Sequence, residues 1–198
     1  KLKKILVTDE LRDAQLHLAQ RMRRGGERAG DHDPESLVDG LTRLYNRRYF
    51  ENRLDEELIR ASRMQNEVAA IFVVLSGLED FSRACGTLHA DDAVLAAARA
   101  IRQTVRRSDI LTRYDSDRFA LILPYTGEAA QRVEARLRAT LAELLRQSGI
   151  DRKARSVTIG VGHAIYPRDA RKAPALAKTA FLNSEADLAP TEELALAA

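Results

Sequence analysis

The sequence predicts an α/β fold in which helices cover the faces of a mixed, largely antiparallel sheet. Three observations predict it. Residues 68–75 (VAAIFVVL) form a short apolar run rich in β-branched side chains, as expected of a central strand buried on both faces. Residues 110–114 and 118–123 are two short strands around Asp115-Ser116-Asp117, which reads as a hairpin turn. Between and after these strands, apolar residues recur at helical spacing.

Val7, Leu11, Ala14, Leu18 and Met22 mark an N-terminal amphipathic helix that stops at Gly25-Gly26. Residues 1–35 are therefore expected to be a connector helix and linker, and the folded domain spans 36–182. Asp39 caps a turn or a helix start. Phe50, Leu54, Leu58 and Ala61 line one face of a helix reaching about Met64. Val94, Ala98, Ile101 and Val105 line a second helix ending near Arg106, and Ala130, Val133, Leu137, Leu141 and Leu144 a third. Residues 156–163 (SVTIGVGH) form another strand, whose glycines indicate a bulge or a close backbone approach. A weaker helix covers about 172–181, and residues 183–198 are expected to be a flexible, acidic and Ala-rich tail.

Composition narrows the function. Hydrophobic residues make up 45% of the chain, enough to build a core. The net charge is only +3, too mild to indicate a nucleic-acid partner although the pI is about 9.2. Many arginines sit beside acids on helical faces, as solvated surface does. The one cysteine, Cys85, permits no internal disulfide and suits a reducing, cytoplasmic setting. No apolar run approaches 18 residues, so no membrane-spanning helix is expected. A chain that begins KLKKILVTDE, without Met or a signal peptide, reads as part of a longer protein.

The string DGLTRLYNRRYF (Asp39 to Phe50) closely resembles the opening signature of GGDEF domains, D-x-L-T-G-L-x-N-R-R-x-F. Further on, R-x-x-D, then R-Y, a turn and an apolar strand ending at Pro124 match that family in order and spacing, and VTIGVG resembles its last core strand. The resemblance covers about Asp39 to Phe181. It implies the fold of nucleotidyl-cyclase-like GGDEF domains, which in active members join two GTP molecules into cyclic di-GMP.

The same resemblance shows where this chain departs. The signature turn reads Asp115, Ser116, Asp117, Arg118 and Phe119. Both glycines that would let the backbone approach phosphate are gone. Asp117 keeps the metal-binding acid, and Arg118 replaces the next one. Gly77 and Glu79 stand at the two acidic positions of D-x-D-x-F, so the first acid is lost. The following loop, FSRACGTLHADD, is two residues short; Cys85 falls at the guanine-reading Asn and Asp92 at the last Asp. No catalytic residue and no bound Mg²⁺ are expected, with His89 as polar surface and the remaining acids as turn or solvated groups.

Arg106-Arg107-Ser108-Asp109 stands in the register of the family's inhibitory-site motif R-x-x-D. The chemistry suits guanine: an arginine fork reaches O6 and N7 or a phosphate, and a carboxylate accepts from N1–H and N2–H. The plain structural alternatives are a cation near a helix C-terminus for Arg106 and a strand-start cap for Asp109. By the same resemblance Arg63 and Arg136 add binding arginines, with Arg60 and Arg138 near the same register, while Arg113 is a structural candidate. The expected ligand is cyclic di-GMP, with no cofactor.

The N-terminal segment resembles the exit helix of a receiver domain, which implies a receiver ahead of this region, a homodimer, protein partners and an adaptor role in localisation or regulated proteolysis at a cell pole. Three other readings compete: a residual cyclase resting on Asp117 and Asp92, a GTP-binding sensor, and a ligand-free dimerisation scaffold.

Overall fold

The computed structural model describes residues 36–148 and 157–188. The N-terminal connector helix and linker proposed for residues 1–35 lie outside them, as do residues 189–198 of the proposed tail. The elements run β1 (Tyr45–Asn46), α1 (Arg47–Met64), β2 (Val68–Ser76), α2 (Leu78–Cys85), α3 (Thr87–Thr104), β3 (Ile110–Asp115), β4 (Arg118–Pro124), α4 (Ala129–Ser148), β5 (Thr158–Tyr166) and α5 (Ala173–Ala186). They build the mixed sheet expected from the sequence, in the order β1-β3-β4-β2-β5. Only β1–β3 is parallel; β3–β4, β4–β2 and β2–β5 are antiparallel.

Alternation along β2 divides the core into two layers. Ala69, Ile71, Val73 and Leu75 point into one cluster with α2, α3 and α4, including Val94, Ile101 and Leu137. Val68, Ala70 and Phe72 point into the other, with Phe50 and Leu54 of α1 and Leu176 of α5. A strand that feeds both layers has no polar face, which is why it reads as an unbroken apolar run.

α1 begins at Asn46, whose side chain accepts from the Tyr49 N–H at 3.1 Å. Asp39 caps a turn upstream, accepting from the Thr42 N–H at 2.7 Å and its hydroxyl at 2.6 Å. Burial alone opposes ionisation of Asp39, but these bonds and the Arg113 charge outweigh it and hold the carboxyl below the usual range.

Two expectations are corrected, on the 81–92 loop and on the tail boundary. Residues 81–92 are not a loop: they belong to α2 and α3, which meet at Gly86, and φ of +94° there lets the chain turn between them. His89 is thus an exposed helical residue. α3 ends at Thr104, near Arg106 as expected. The tail boundary at 183 falls inside α5, which continues to Ala186 with Ser184 fully buried.

The glycines of β5 explain that last difference. The register of β5 on β2 is continuous, without a bulge. A Cβ on Gly162 would lie 2.1 Å from the Ser184 backbone nitrogen, and one on Gly160 would lie 2.2 Å from the Ser184 carbonyl oxygen. α5 therefore rests directly on the strand, and its side chains cover the open edge. Asp187 accepts from the Val161 N–H at 3.0 Å, and Asn183 donates to the His163 carbonyl at 2.8 Å.

Gly162→Ala is expected to destabilise the domain by about 1–3 kcal/mol or more, through overpacking of strand against helix. Gly40→Ala, where a Cβ meets nothing within 4 Å, is the control. Urea unfolding midpoints of the two variants measure the difference.

Candidate functional site

The turn between β3 and β4 is tied down by the chain's own arginines. The ladder is irregular between Arg113 and Asp115, so that Asp115 faces Arg118. Asp115 accepts from the Ser116 N–H at 2.8 Å. Arg113 donates to the carbonyls of Ser116 at 2.8 Å and Asp115 at 3.3 Å, and reaches the Asp39 carboxylate at 3.4 Å. The Asp117 carbonyl accepts from the Leu75 N–H at 2.8 Å, fixing the turn to the end of β2. Neither Ser116 nor Asp117 has positive φ. The turn is thus made without the left-handed backbone that glycine would permit.

Arg118 lies between the two turn carboxylates, 3.8 Å from Asp115 and 3.5 Å from Asp117. Its guanidinium stacks 4.8 Å over the Phe181 ring, and its Nε is sealed from solvent without a hydrogen bond. Placing a cation next to both acids reduces the negative potential that would attract a divalent ion.

Gly77 joins β2 to α2 in the left-handed conformation, at φ 82° and ψ 4°. Glu79 points to solvent from the first turn of α2, 81% exposed, and is ion-paired to Arg83, which also holds Asp80 at 2.9 Å. Cys85 ends α2 half-buried, and Asp92 is exposed on α3. Among the described residues, no three acidic, histidine or cysteine side chains converge as a metal site would require.

The Arg106–Asp109 turn sits at the opposite end of the sheet. After α3 the chain extends through Val105. Two reciprocal bonds then close the turn: the Asp109 N–H donates to the Arg106 carbonyl at 3.1 Å, and the Arg106 N–H donates to Asp109 Oδ2 at 2.8 Å. Arg102, one helical turn earlier, donates to the carbonyls of Asp109 at 3.2 Å and Arg107 at 3.4 Å. Asp109 is 5% exposed. Burial pushes its carboxyl above the ordinary aspartate range, against the Arg106 N–H, the Arg106 charge and Ser108, which all favour the ionised form. Asp109 therefore occupies the strand-start cap role. Its Oδ1 accepts from the Ser108 hydroxyl at 3.5 Å.

The Arg106 guanidinium is exposed and makes no hydrogen bond among the described residues. Arg136 of α4 donates to the Thr104 carbonyl at 2.8 Å, which brings it to the approach of this turn. The neighbouring Arg138 is held at 2.8 Å by both Glu134 and Asp187, so of these two arginines it is Arg136 that lies against the end of α3. Arg63 is exposed in the last turn of α1, while Arg60 is occupied by the buried Glu57 at 3.0 Å. Arg63 lies in the other helical layer but at the same sheet end, where β2 begins, β4 ends and β3 begins. The structure thus gathers Arg106, Asp109 and Arg136, and leaves Arg63 across the sheet end from them. Arg102, which braces the turn, was missed from sequence; its spacing before the motif on a helix was the available signal.

Several concavities of the described residues lie elsewhere. A cavity of about 490 Å³ between α1, α5 and the sheet is lined by rings such as Phe50, Phe72 and Phe181. A cleft of about 510 Å³ flanks the signature turn, with Asp39, Arg47, Arg113 and Asp115 on its walls. Neither includes Arg106 or Asp109.

Comparison with known proteins agrees with this architecture. The family model "Diguanylate cyclase, GGDEF domain" matches residues 36–185, and the chain belongs to that family. It is 31% identical over 140 residues to the diguanylate cyclase TpbB of Pseudomonas aeruginosa, an alignment covering 70% of this chain and 32% of TpbB. The chain thus spans about a third of that relative's length. The solved GGDEF domain of TpbB superimposes with a TM-score of 0.66 at 25% identity, covering 76% of this chain and 87% of that one. The GGDEF domain of DgcB from Caulobacter crescentus, solved in complex with c-di-GMP, has the same fold, with a TM-score of 0.65, 19% identity and coverage of 81% and 92%. No helix among the described residues is long and apolar enough to cross a membrane.

The raised carboxyl of Asp109 fixes a sign. Its folded-state pKa lies above the unfolded one, so its contribution to stability is greatest at acid pH and declines as pH rises through the folded value. Asp109→Asn, which still offers an acceptor to the Arg106 N–H, is expected to be at least as stable as the parent at pH 7, with that advantage fading at pH 4. Asp109→Ala strands that N–H and is expected to lose about 1–3 kcal/mol. Urea titrations at the two pH values measure both.

Proposed function

We propose that this domain is a cyclic di-GMP receptor that does not synthesise its ligand. The observation that carries the proposal is the contrast between two turns at opposite ends of one sheet. The Arg106–Asp109 turn is closed in advance by its own hydrogen bonds and presents an exposed guanidinium that makes no hydrogen bond among the described residues. The signature turn has its acids beside Arg118, its glycines replaced, and Gly77 where a carboxylate is needed.

In this reading Arg106 grips a guanine edge or a phosphate as a fork, and Asp109 Oδ1 accepts from guanine N1–H or N2–H. Arg136 adds charge from α4, and Arg63 adds a second guanidinium from α1, either to the same ligand or to a ligand held by a second copy. Two intercalated cyclic di-GMP molecules fit such a set of arginines, since guanidinium planes stack on bases. No Mg²⁺ is needed. That the DgcB domain was solved with c-di-GMP supports the ligand class.

The regulatory setting follows from the resemblance to receiver-linked regulators. Upstream receivers, a homodimer and a PopA-like adaptor role at a cell pole, delivering a protein for proteolysis, make up that part of the proposal. The ligand's effect there is limited to its differential affinity for two domain arrangements.

A weak cyclase is the second reading. It is favoured by kinship with TpbB, a diguanylate cyclase by name, and by the acid at Asp117.

Calorimetry is expected to show saturable cyclic di-GMP binding at micromolar ligand, weakened roughly ten- to a hundred-fold by Arg106→Ala. Absence of binding by the parent protein overturns the receptor reading. Incubation with GTP and Mg²⁺ is expected to yield no cyclic dinucleotide by chromatography; product that disappears in Asp117→Ala establishes the cyclase instead.

A further inference from the structure

Tyr125 follows β4 directly, and its backbone is left-handed, at φ +55°. A bulky non-glycine residue in this region is strained, and such strain persists only where flanking structure enforces it. The flanks do so here. Pro124 is paired to Val68 on β2. The Thr126 N–H donates to the Glu67 carbonyl at 3.2 Å, and its hydroxyl donates to the Pro124 carbonyl at 3.1 Å. Thr126 is 5% exposed, so the chain is pinned on both sides of the tyrosine.

The ring itself gains little from this placement. Tyr125 is 60% exposed, and its hydroxyl only reaches the Met64 sulfur, at 3.8 Å. Met64 is itself 58% exposed. Stability alone favours glycine at such a position. A strained aromatic side chain that stays mostly exposed is an outlier whose reason lies outside the fold.

Its surroundings indicate the reason. Met64 ends α1, one residue after Arg63, so the ring reaches the same helix end that carries this exposed arginine. Continuing the β3–β4 register from Ile110↔Ile122 places Tyr125 at the same sheet end as the Arg106–Asp109 turn. We infer that Tyr125 is a base-stacking residue of the cyclic di-GMP site, giving a flat face to a guanine whose other contacts come from arginine. This rests on the receptor reading above and adds a side chain that the arginine and carboxylate set does not contain. A purine is the fitting occupant because stacking uses its π-face and leaves its edge to the arginines.

The test uses the opposition between strain and binding. Tyr125→Gly is expected to raise Tm by a few degrees, by removing the strain, while weakening cyclic di-GMP roughly five- to a hundred-fold. Tyr125→Phe is expected to match the parent in both. If Arg106→Ala loses binding but Tyr125→Gly binds like the parent, the stacking role is overturned and the receptor reading stands. If Tyr125→Gly lowers Tm, the ring is a packing element and the inference fails as well. If the parent binds no cyclic di-GMP, both fall together.

Discussion

One strand with no polar face organises the molecule. β2 sits between β4 and β5 and sends alternate side chains into two separate helical layers, so its register fixes every other element. A slip of one residue would exchange Ile71 and Val73 with Ala70 and Phe72 and mispack both layers at once. The signature turn and the turn at Thr126 hang on its ends. The Leu75 N–H holds the signature turn at one end, and the Glu67 carbonyl holds the Thr126 turn at the other. The domain thus has two polar ends separated by the length of a rigid strand, and its chemistry divides between them.

The arginines at the two ends are used differently. At the signature end Arg113 and Arg118 are spent inside the protein, on turn carbonyls, on Asp39, Asp115 and Asp117, and on the Phe181 ring. At the other end Arg106 and Arg63 extend into solvent, while Arg102 and Arg136 hold backbone carbonyls close by. A guanidinium already paired must break those contacts to meet a phosphate, whereas an exposed one without hydrogen bonds gives up mainly water.

Most of the fold was legible because its pattern is local. The apolar run of β2, the stripe on α1 and the hairpin carry periodicity within a few residues. What was not legible depends on contacts distant in sequence. The end of α5 looks like an acidic, Ala-rich tail until Gly160 and Gly162 open space for Ser184 to lie on β5. α2 and α3 look like a loop because the glycine between them reads as a break, although it only turns one helix into the next. β1, two residues long, has too little sequence to announce itself. The candidate site shows the same division. The Arg106–Asp109 motif was found by its register, but the choice between Arg136 and Arg138 required knowing that Glu134 and Asp187 occupy the latter.

The motif's two ends do not carry equal weight. Asp109 has a structural task that explains its presence without any ligand: its carboxylate closes the turn that starts β3, and burial makes that group hard to replace. An R-x-x-D in which only the aspartate mattered could persist in a pure scaffold. Arg106 is different. The bonds that close the turn come from its backbone, which any non-proline residue supplies, and its exposed side chain makes no hydrogen bond among the described residues, its charge only favouring the ionised Asp109. The same logic separates Tyr125 from Thr126: the threonine is buried and bonded, and the tyrosine is strained and exposed. At this end of the sheet the fold therefore leaves exposed an arginine fork and an aromatic ring, groups whose chemistry suits the edge and the plane of a purine.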